Sequence, residues 1–256
     1  MTYCVGILVK KGMVLICDTR TNAGLDNIAV FRKLHVLEIP GERMIAIATA
    51  GNLAVSQSVI SLVTEGFGEG RTISDTSSMF ETARLVGEAI RHVYNKDGAA
   101  LEAQSGGFDV QMLLGGQVKG GRLRLYQLYS AGNFIEATPD TPYLQIGEHK
   151  YGKPILDRSV TFETELDEAL KLGLVSMDST MRSNLGVGMP IDFVVYRRDA
   201  LETDLIHRIE QGDAYFSDLQ ERWSKALRAA HLAIPVPPYK AEEDEAASDT
   251  APADTS

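Results

Sequence analysis

Little in this chain supports the common kinds of metal, redox, membrane or nucleic-acid chemistry. It holds two cysteines, Cys4 and Cys17, both in apolar, strand-like runs. No CxxC and no Cys/His spacing accompanies them, which argues against a thiolate metal site or a redox motif and for core positions in a reducing cytosol. No run of 18 apolar residues occurs, so there is no candidate membrane-spanning helix. The opening MTYCVGILVKKG has neither the basic start nor the apolar length of a secretory signal, and a cytoplasmic location is expected. Basic residues are in deficit, 25 against 35 acidic, for a formal charge of −10. Six of the acids, Glu242, Glu243, Asp244, Glu245, Asp249 and Asp254, crowd into residues 241–256, where no Lys or Arg occurs. The rest is an ordinary mixed surface without a basic stripe, which argues against nucleic acid and against an anionic membrane as partners.

Several signatures are missing as well. There is no GxSxG and no HExxH, and GFGEG at 66–70 follows a helical pattern and lacks the lysine of a phosphate loop. His35, His92, His149, His207 and His231 have no partner at ligand spacing. No metal and no organic cofactor is expected.

What is present is a regular hydrophobic pattern. With 44% hydrophobic residues and no internal linker, the chain reads as one domain over 1–236. Residues 237–256, rich in Pro, Ala, Asp, Glu, Ser and Thr, read as an acidic disordered tail. Residues 3–9 and 13–17 are β-prone, apolar on both faces, and joined at Lys10-Lys11-Gly12, as expected of strands covered above and below. A second hairpin is expected from 29–38 and 43–49 across Pro40-Gly41. Helices are predicted over about 52–66 and 77–95, the second opened by Ser78 and Glu81 at capping-box spacing. Strands follow at 108–115 and 123–130, and a strand pair near 134–146. The remainder reads as a helix over about 165–181, strands at 191–197 and 203–209, and a helix over about 214–230. Strands and helices come in segregated runs, which argues for α+β with antiparallel sheets rather than alternating βαβ units.

The candidate chemistry lies at the N-terminus. Removal of Met1 leaves Thr2 with a hydroxyl nucleophile and a free α-amino group on one residue. The amine's ordinary pKa of about 7.7–8.0 leaves a sizeable neutral fraction near pH 7, able to accept the hydroxyl proton directly or through water. A Met-Thr start alone specifies nothing, since many chains share it.

Further motifs narrow the reading. TYCVGILV, CDTRTNAG, FRKLHV and ATAGNLA occur in that order, followed by GEHKYGKPILDR at 147–158 and MDSTMRSNLGVGMPID at 177–192. Together they resemble proteasome β-type subunits, and more closely the bacterial ancestral β-subunit group, Anbu, over most of the chain. The resemblance implies a four-layer αββα sandwich of the N-terminal-nucleophile hydrolase type. It also implies threonine peptidase activity on a peptide or protein, and assembly into a homo-oligomer, either a ring or an open spiral. Whether an ATPase partner feeds it is not readable from sequence.

The family's site residues carry over individually. Asp18 matches the acidic residue beside the nucleophile and a lysine, and Lys33 matches that lysine. The charge of Lys33 would lower the pKa of the Thr2 hydroxyl and amine, and Asp18 would hold Lys33 by a charge-assisted bond. Arg20 matches a supporting basic residue. Gly51 matches the glycine whose backbone N–H faces the developing oxyanion, and Asp178 an aspartate near the terminal amine. The first substrate pocket would be lined by Thr21, Phe31, Thr49 and Leu53, none of them charged, which implies an apolar or small residue before the scissile bond. The chain departs from the pattern near Gly147-Glu148-His149, where the serine paired with the amine is replaced. It departs again at Met181, where a serine is expected three residues after the aspartate; Ser179 and Ser183 are the candidates to stand in. Two alternatives stay open: an amidase or transpeptidase of the same nucleophile class, and a non-enzymatic assembly protein that kept the fold. Lys33, given a charge role and no packing role, is expected to tolerate Ala with loss of activity and little loss of fold.

Overall fold

The computed structural model describes residues 1–22, 28–103 and 107–239, so residues 240–256 of the expected tail lie outside the described residues. The chain divides into two compact units, 1–220 and 221–256. In chain order the elements are β1 (Tyr3–Val9), β2 (Gly12–Asp18), β3 (Arg20–Asn22), β4 (Ile28–Val30), β5 (Leu34–Ile39), β6 (Arg43–Gly51), α1 (Leu53–Glu65) and α2 (Met79–Ala103). Then come β7 (Val110–Val118), β8 (Arg124–Leu128), β9 (Phe134–Glu136), β10 (Tyr143–Gly147), α3 (Lys153–Ser159), α4 (Leu166–Ser183), β11 (Ile191–Arg197), β12 (Leu205–Ile209) and α5 (Ala214–Ala233). The first unit holds the twelve strands, the helices α1 to α4 and the start of α5; the second, among the described residues, holds the rest of α5 and the segment to 239.

Two five-stranded sheets form the centre, with strand orders β10-β1-β2-β11-β12 and β5-β6-β7-β8-β9 and antiparallel neighbours throughout. The first hairpin pairs Cys4 with Cys17 and Val9 with Gly12, and both strands are buried along their whole length, as two-faced apolar runs require. The period-two alternation of β6 assigns its faces. Met44, Ala46, Ala48 and Ala50 join Cys4, Met13, Leu15, Leu113 and Leu125 in a core between the sheets. Ile45 and Ile47 point the other way, into a core with Val59 and Val63 of α1 and Ala83, Val86 and Ile90 of α2. On the far side of the first sheet α4 packs on β1 and β2, close enough that a Cβ on Gly173 would lie 2.5 Å from Ile16 Cδ1. The order helices, sheet, sheet, helices is the four-layer αββα sandwich.

Helix starts follow the local signals. Asn52 caps α1, its Oδ1 accepting from the N–H groups of Ala54 and Val55 at 3.0 and 3.3 Å. Ser78 Oγ accepts from Glu81 N–H, but the returning Glu81 carboxylate accepts from the Ser77 N–H, one residue earlier than a strict capping box places it.

Three expectations need correction. The strand expected over 29–38 is two strands, because Phe31 N–H bonds Thr19 O (2.9 Å) and the chain leaves the ladder at 31–33. The strands near 134–146 do not pair with each other: β9 closes the β8 edge while β10 crosses to β1 in the other sheet. Residues 153–159 form α3, which opens with Pro154 in its first turn and was not expected as a helix.

Candidate active site

Thr2 sits at the head of β1 and is 8% exposed, whereas Met1 before it is 64% exposed. Its carbonyl accepts from the Glu148 N–H at 2.8 Å, which continues the β1–β10 ladder one residue past Tyr3–Gly147. Next to it, the Asp18 carboxylate at the end of β2 gathers three donors. Tyr3 N–H (3.0 Å) and Lys33 Nζ (2.8 Å) share Oδ1, and Gly188 N–H (3.2 Å) reaches Oδ2. Lys33 Nζ also donates to the Arg20 carbonyl at 2.6 Å. The ion pair is almost wholly enclosed, with side-chain exposures of 0% for Asp18 and 4% for Lys33. Burial pushes the Asp18 carboxyl above its ordinary pKa, and the Lys33 charge and the two backbone N–H groups pull it back in part. One carboxylate thus ties the backbone of the residue after Thr2 to the ammonium group of Lys33.

The break in the ladder at 31–33 is what brings Lys33 here. Its carbonyl accepts the Thr49 N–H at 3.0 Å, which fixes it against β6 while its side chain runs under the hairpin end. Gly51, at the end of β6, has φ +98, a left-handed conformation that favours glycine, and a Cβ there would run into the Asp109 carbonyl. Asn52 N–H donates to that same carbonyl at 2.7 Å, so the turn into α1 is pinned to the start of β7. The helix then begins beside Gly51, capped by Asn52 and with no acidic residue in its first turn to offset its positive N-terminal end.

Two cavities meet at this point. The first, about 520 Å³, is lined by Thr21, Ala29, Phe31, Lys33, Thr49, Leu53 and Ser56 together with Met1, Thr2, Ala50 and Gly51. All four residues expected to form a substrate pocket, Thr21, Phe31, Thr49 and Leu53, therefore share one wall with Thr2, Lys33 and Gly51. The second cavity, about 430 Å³, shares Met1, Thr2, Ala50 and Gly51 and adds Asn52, Asp109, Gln111, Gly147 and Glu148.

Arg20 donates from Nη1 to the Leu185 carbonyl at 2.9 Å and lies flat on Gly188, bracing the 185–188 loop that feeds Asp18. Asp178 is placed differently from the expectation. It is buried in α4, and its carboxylate accepts from Arg182 Nε (3.2 Å) and Gln220 Nε2 (2.6 Å) rather than from the residues around Thr2. Ser183 is exposed at the last residue of α4 and Ser179 is half-buried one position past Asp178; neither lines the cavities at Thr2.

Some residues of the site were not anticipated. The buried Tyr3 hydroxyl accepts from Gln145 Nε2 and bonds Ser176 Oγ at 2.6 Å, which links the strand carrying Thr2 to β10 and α4. Gly186 touches Met1: a Cβ there would lie 2.5 Å from the Met1 Cβ. Asp109 and Gln111 carry no sequence signal beyond lying at the start of a predicted strand. Among the described residues no group of three His, Cys, Asp or Glu side chains could hold a metal ion, and no helix is long and apolar enough to cross a membrane.

This geometry can be set beside known proteins. The family model for the proteasome subunit matches residues 2–196, which spans both sheets' site-bearing strands and α4. The chain belongs to the proteasome subunit family. Solved structures similar to it include Anbu proteins. Anbu (ancestral beta-subunit) from Yersinia bercovieri is 45% identical at a TM-score of 0.85, covering 91% of this chain and 97% of that one. An Anbu (Gly-1) mutant from Hyphomicrobium sp. strain MC1 is 48% identical at a TM-score of 0.87, covering 93% and 100%. The structure described as the helical assembly of the Anbu complex from Pseudomonas aeruginosa is 47% identical at a TM-score of 0.87, covering 92% and 98%. None of the curated proteins matches the chain.

Proposed function

We propose that the chain is a threonine-type peptidase whose nucleophile is Thr2 after removal of Met1, within a hydrolase domain over 1–236 followed by an acidic tail. The observation that carries this reading is the position of Thr2 in the wall common to two cavities, with Gly51 beside it and the enclosed Asp18–Lys33 pair bonded to its neighbour's N–H. In the proposed reaction Thr2 Oγ attacks an amide carbonyl while its proton passes to the Thr2 amine, directly or through a water. The Gly51 N–H and the start of α1 stabilise the tetrahedral oxyanion. The C–N bond then breaks, the leaving amine takes the proton, and water hydrolyses the resulting ester. Lys33 lowers the cost of the alkoxide by its charge, and Asp18 and Arg20 hold it and the neighbouring loop. The first cavity takes an apolar or small side chain before the scissile bond. The likeness to the Pseudomonas aeruginosa assembly supports a homo-oligomer, a ring or an open spiral, as part of this proposal, and the cytoplasm is the location proposed for it.

The engagement of Asp178 by Arg182 and Gln220 favours one rival, an assembly protein that retains the fold without turnover. Covalent labelling separates the two. Protein shown by mass spectrometry to begin at Thr2 is treated with a threonine-directed electrophile and the modified residue is mapped. Labelling of Thr2, lost together with peptide hydrolysis in Thr2→Ala, supports the peptidase. Hydrolysis that persists in Thr2→Ala, or a matured protein that neither labels nor cleaves a broad peptide library, overturns it.

A further inference from the structure

We infer that the segment after α5 of one copy, residues 234–238, adds as a sixth strand to the free edge of β5 in a second copy. The inference rests on the homo-oligomer proposed above and is independent of the peptidase chemistry.

β5 closes one end of its sheet and pairs with β6 alone. The Thr49 N–H donates to the Lys33 carbonyl, and alternation along an antiparallel ladder then turns the backbone groups of Leu34 and Val36 away from β6. No hydrogen bond among the described residues takes up those groups. A free edge of this kind is a template for another strand. Its surroundings are shaped for one. A cavity of about 350 Å³ lies on the face between the sheets, bounded by Leu34 and Val36 of β5 and by Ile206 and Arg208 of β12. Another, of about 240 Å³, lies on the helix-facing side, where Leu37 meets Ile45, Ile60 and Ile73. An added strand thus finds a cavity for each of its alternating faces. Ile206 shares a face with Val194, its partner in the ladder and a core residue, yet it is 56% exposed; a strand beside β5 would lie over it. The space fits one strand. β2 packs on β5, and the first sheet runs on beyond it with β11 and β12, so a whole sheet brought edge to edge would drive its companion sheet into β12.

The chain carries a segment of the right form. Leu232, Ile234, Val236 and Tyr239 are each at least 70% exposed, a run of uncovered apolar side chains at the end of α5 and just past it. Residues 233–238 read Ala-Ile-Pro-Val-Pro-Pro. With Val236 turned toward β5, its N–H and C=O and the Ile234 C=O can bond the edge; the Ile234 N–H is already held by the His231 carbonyl at 3.1 Å. Pro235 and Pro237 then fall at the alternate positions, whose nitrogens face away from β5. Their missing N–H groups cost no pairing, and they leave an outer edge that recruits no further strand. Pro238, back on the bonding side, ends the pairing. Ile234 and Val236 come to lie on the face of Leu34 and Val36, over Ile206. Charge agrees: Arg32 lines both cavities and forms no ion pair among the described residues, while the segment leads into the acids at 242–245. Segment and edge are both uncovered in the single chain, which leaves a second copy as the occupant.

The test uses the full chain carrying Ile206→Cys and Val236→Cys together. Native Cys4 and Cys17 are buried, so a short bis-maleimide added to the folded protein reaches the two introduced thiols. The expected product is a ladder of linked chains on a denaturing gel, with mass spectrometry mapping the links between positions 206 and 236. Adding Ile234→Asp, at an exposed residue, should cut the ladder about tenfold by placing a charge in an apolar cavity. Val36→Pro should do the same, because it removes an edge donor and leaves the β6 ladder intact. Links confined to one chain, no links, links that survive both changes, or an equal ladder when Leu227→Cys replaces Val236→Cys each overturn the inference. Light scattering on the unsubstituted protein separates the two readings. An oligomer whose thiol variant yields no such ladder removes the strand addition alone, whereas a monomer at all concentrations removes the homo-oligomer and the strand addition with it.

Discussion

Lys33→Met tests the buried ion pair at the centre of the site. From sequence alone Lys33 reads as a charge that can be removed without harm to the fold; its enclosure reverses that expectation. At 2.8 Å from Asp18 Oδ1 the pair attracts by about 6 kcal/mol at an effective dielectric of about 20. Desolvation of both ions offsets most of that, so the intact pair adds little net stability. Removing one member is different, because the other stays buried and charged, at a cost of about 3–5 kcal/mol. Met keeps most of the length of the lysine stem, so the loss is mainly electrostatic. The pH dependence carries the sign. Asp18 is already raised by burial, and losing Lys33 takes away the largest influence that lowers it. Below about pH 4 Asp18 is protonated in folded and unfolded chains alike, and the variant has no deficit from this source. As pH rises through the raised folded-state pKa, the unfolded chain gains a free carboxylate that the folded variant cannot easily hold, and stability is lost. Urea denaturation of both proteins from pH 4 to pH 8 is the assay. The expected deficit is about 3–5 kcal/mol at pH 8, narrowing steadily toward pH 4, with part recovered when Asp18→Asn is added. A variant within 1 kcal/mol of the parent at pH 8, or a deficit that widens on acidification, refutes the reasoning.

Two further substitutions probe the frame around Thr2. Gly51→Ala places a Cβ against the Asp109 carbonyl at φ +98, so a loss of about 2 kcal/mol or more and a fall in peptide turnover are expected, read by thermal melting and a hydrolysis assay. An alanine variant with an unchanged melting temperature would show that the turn relaxes freely. Tyr3→Phe deletes a buried hydroxyl bonded to Ser176 and Gln145 and leaves both without that partner. About 1–3 kcal/mol of stability should be lost in denaturant titration, and a neutral result would mean the network is slack.

Much of this site was legible because it lies on elements with strong local signals. The two-faced apolar runs of β1 and β2 announce buried strands, and Thr2 and Asp18 sit at their ends. Gly51 and Leu53 stand where a strand stops and a capped helix starts. The family motifs then assigned Lys33, Thr21, Phe31 and Thr49, which composition alone does not distinguish from hairpin residues. What escaped is tertiary. Nothing local says that 31–33 leaves the ladder, since the sequence there alternates much as a strand does. Phe31 N–H is drawn off by Thr19, a contact between residues twelve apart. The partners of Asp178 escaped for a related reason: a helix position shows that a side chain is inward, but which donors await it depends on α5, which brings Gln220 from 42 residues away. Tyr3, Gln145 and Ser176 meet across three elements, and no spacing in the chain foretells that.

The site belongs to neither sheet by itself. Thr2 and Asp18 come from the ends of β1 and β2, Lys33 and Gly51 from the ends of β5 and β6, and the core of Cys4, Leu15, Met44, Ala48 and Leu113 lies between. A change in the spacing of the sheets therefore moves Thr2 relative to Gly51 directly. The sheets approach closely where glycines permit it: a Cβ on Gly6 would lie 2.9 Å from the Leu125 side chain, and one on Gly115 would strike Met13. The same convergence bears on Met1. It lines both cavities and rests on Gly186, while Thr2 behind it is fixed by Glu148 and its neighbour Tyr3 by Asp18. A residue retained ahead of Thr2 thus both converts the amine to an amide and occupies the junction where a substrate carbonyl must sit. In the proposed peptidase, one cleavage creates the base and clears the cleft together.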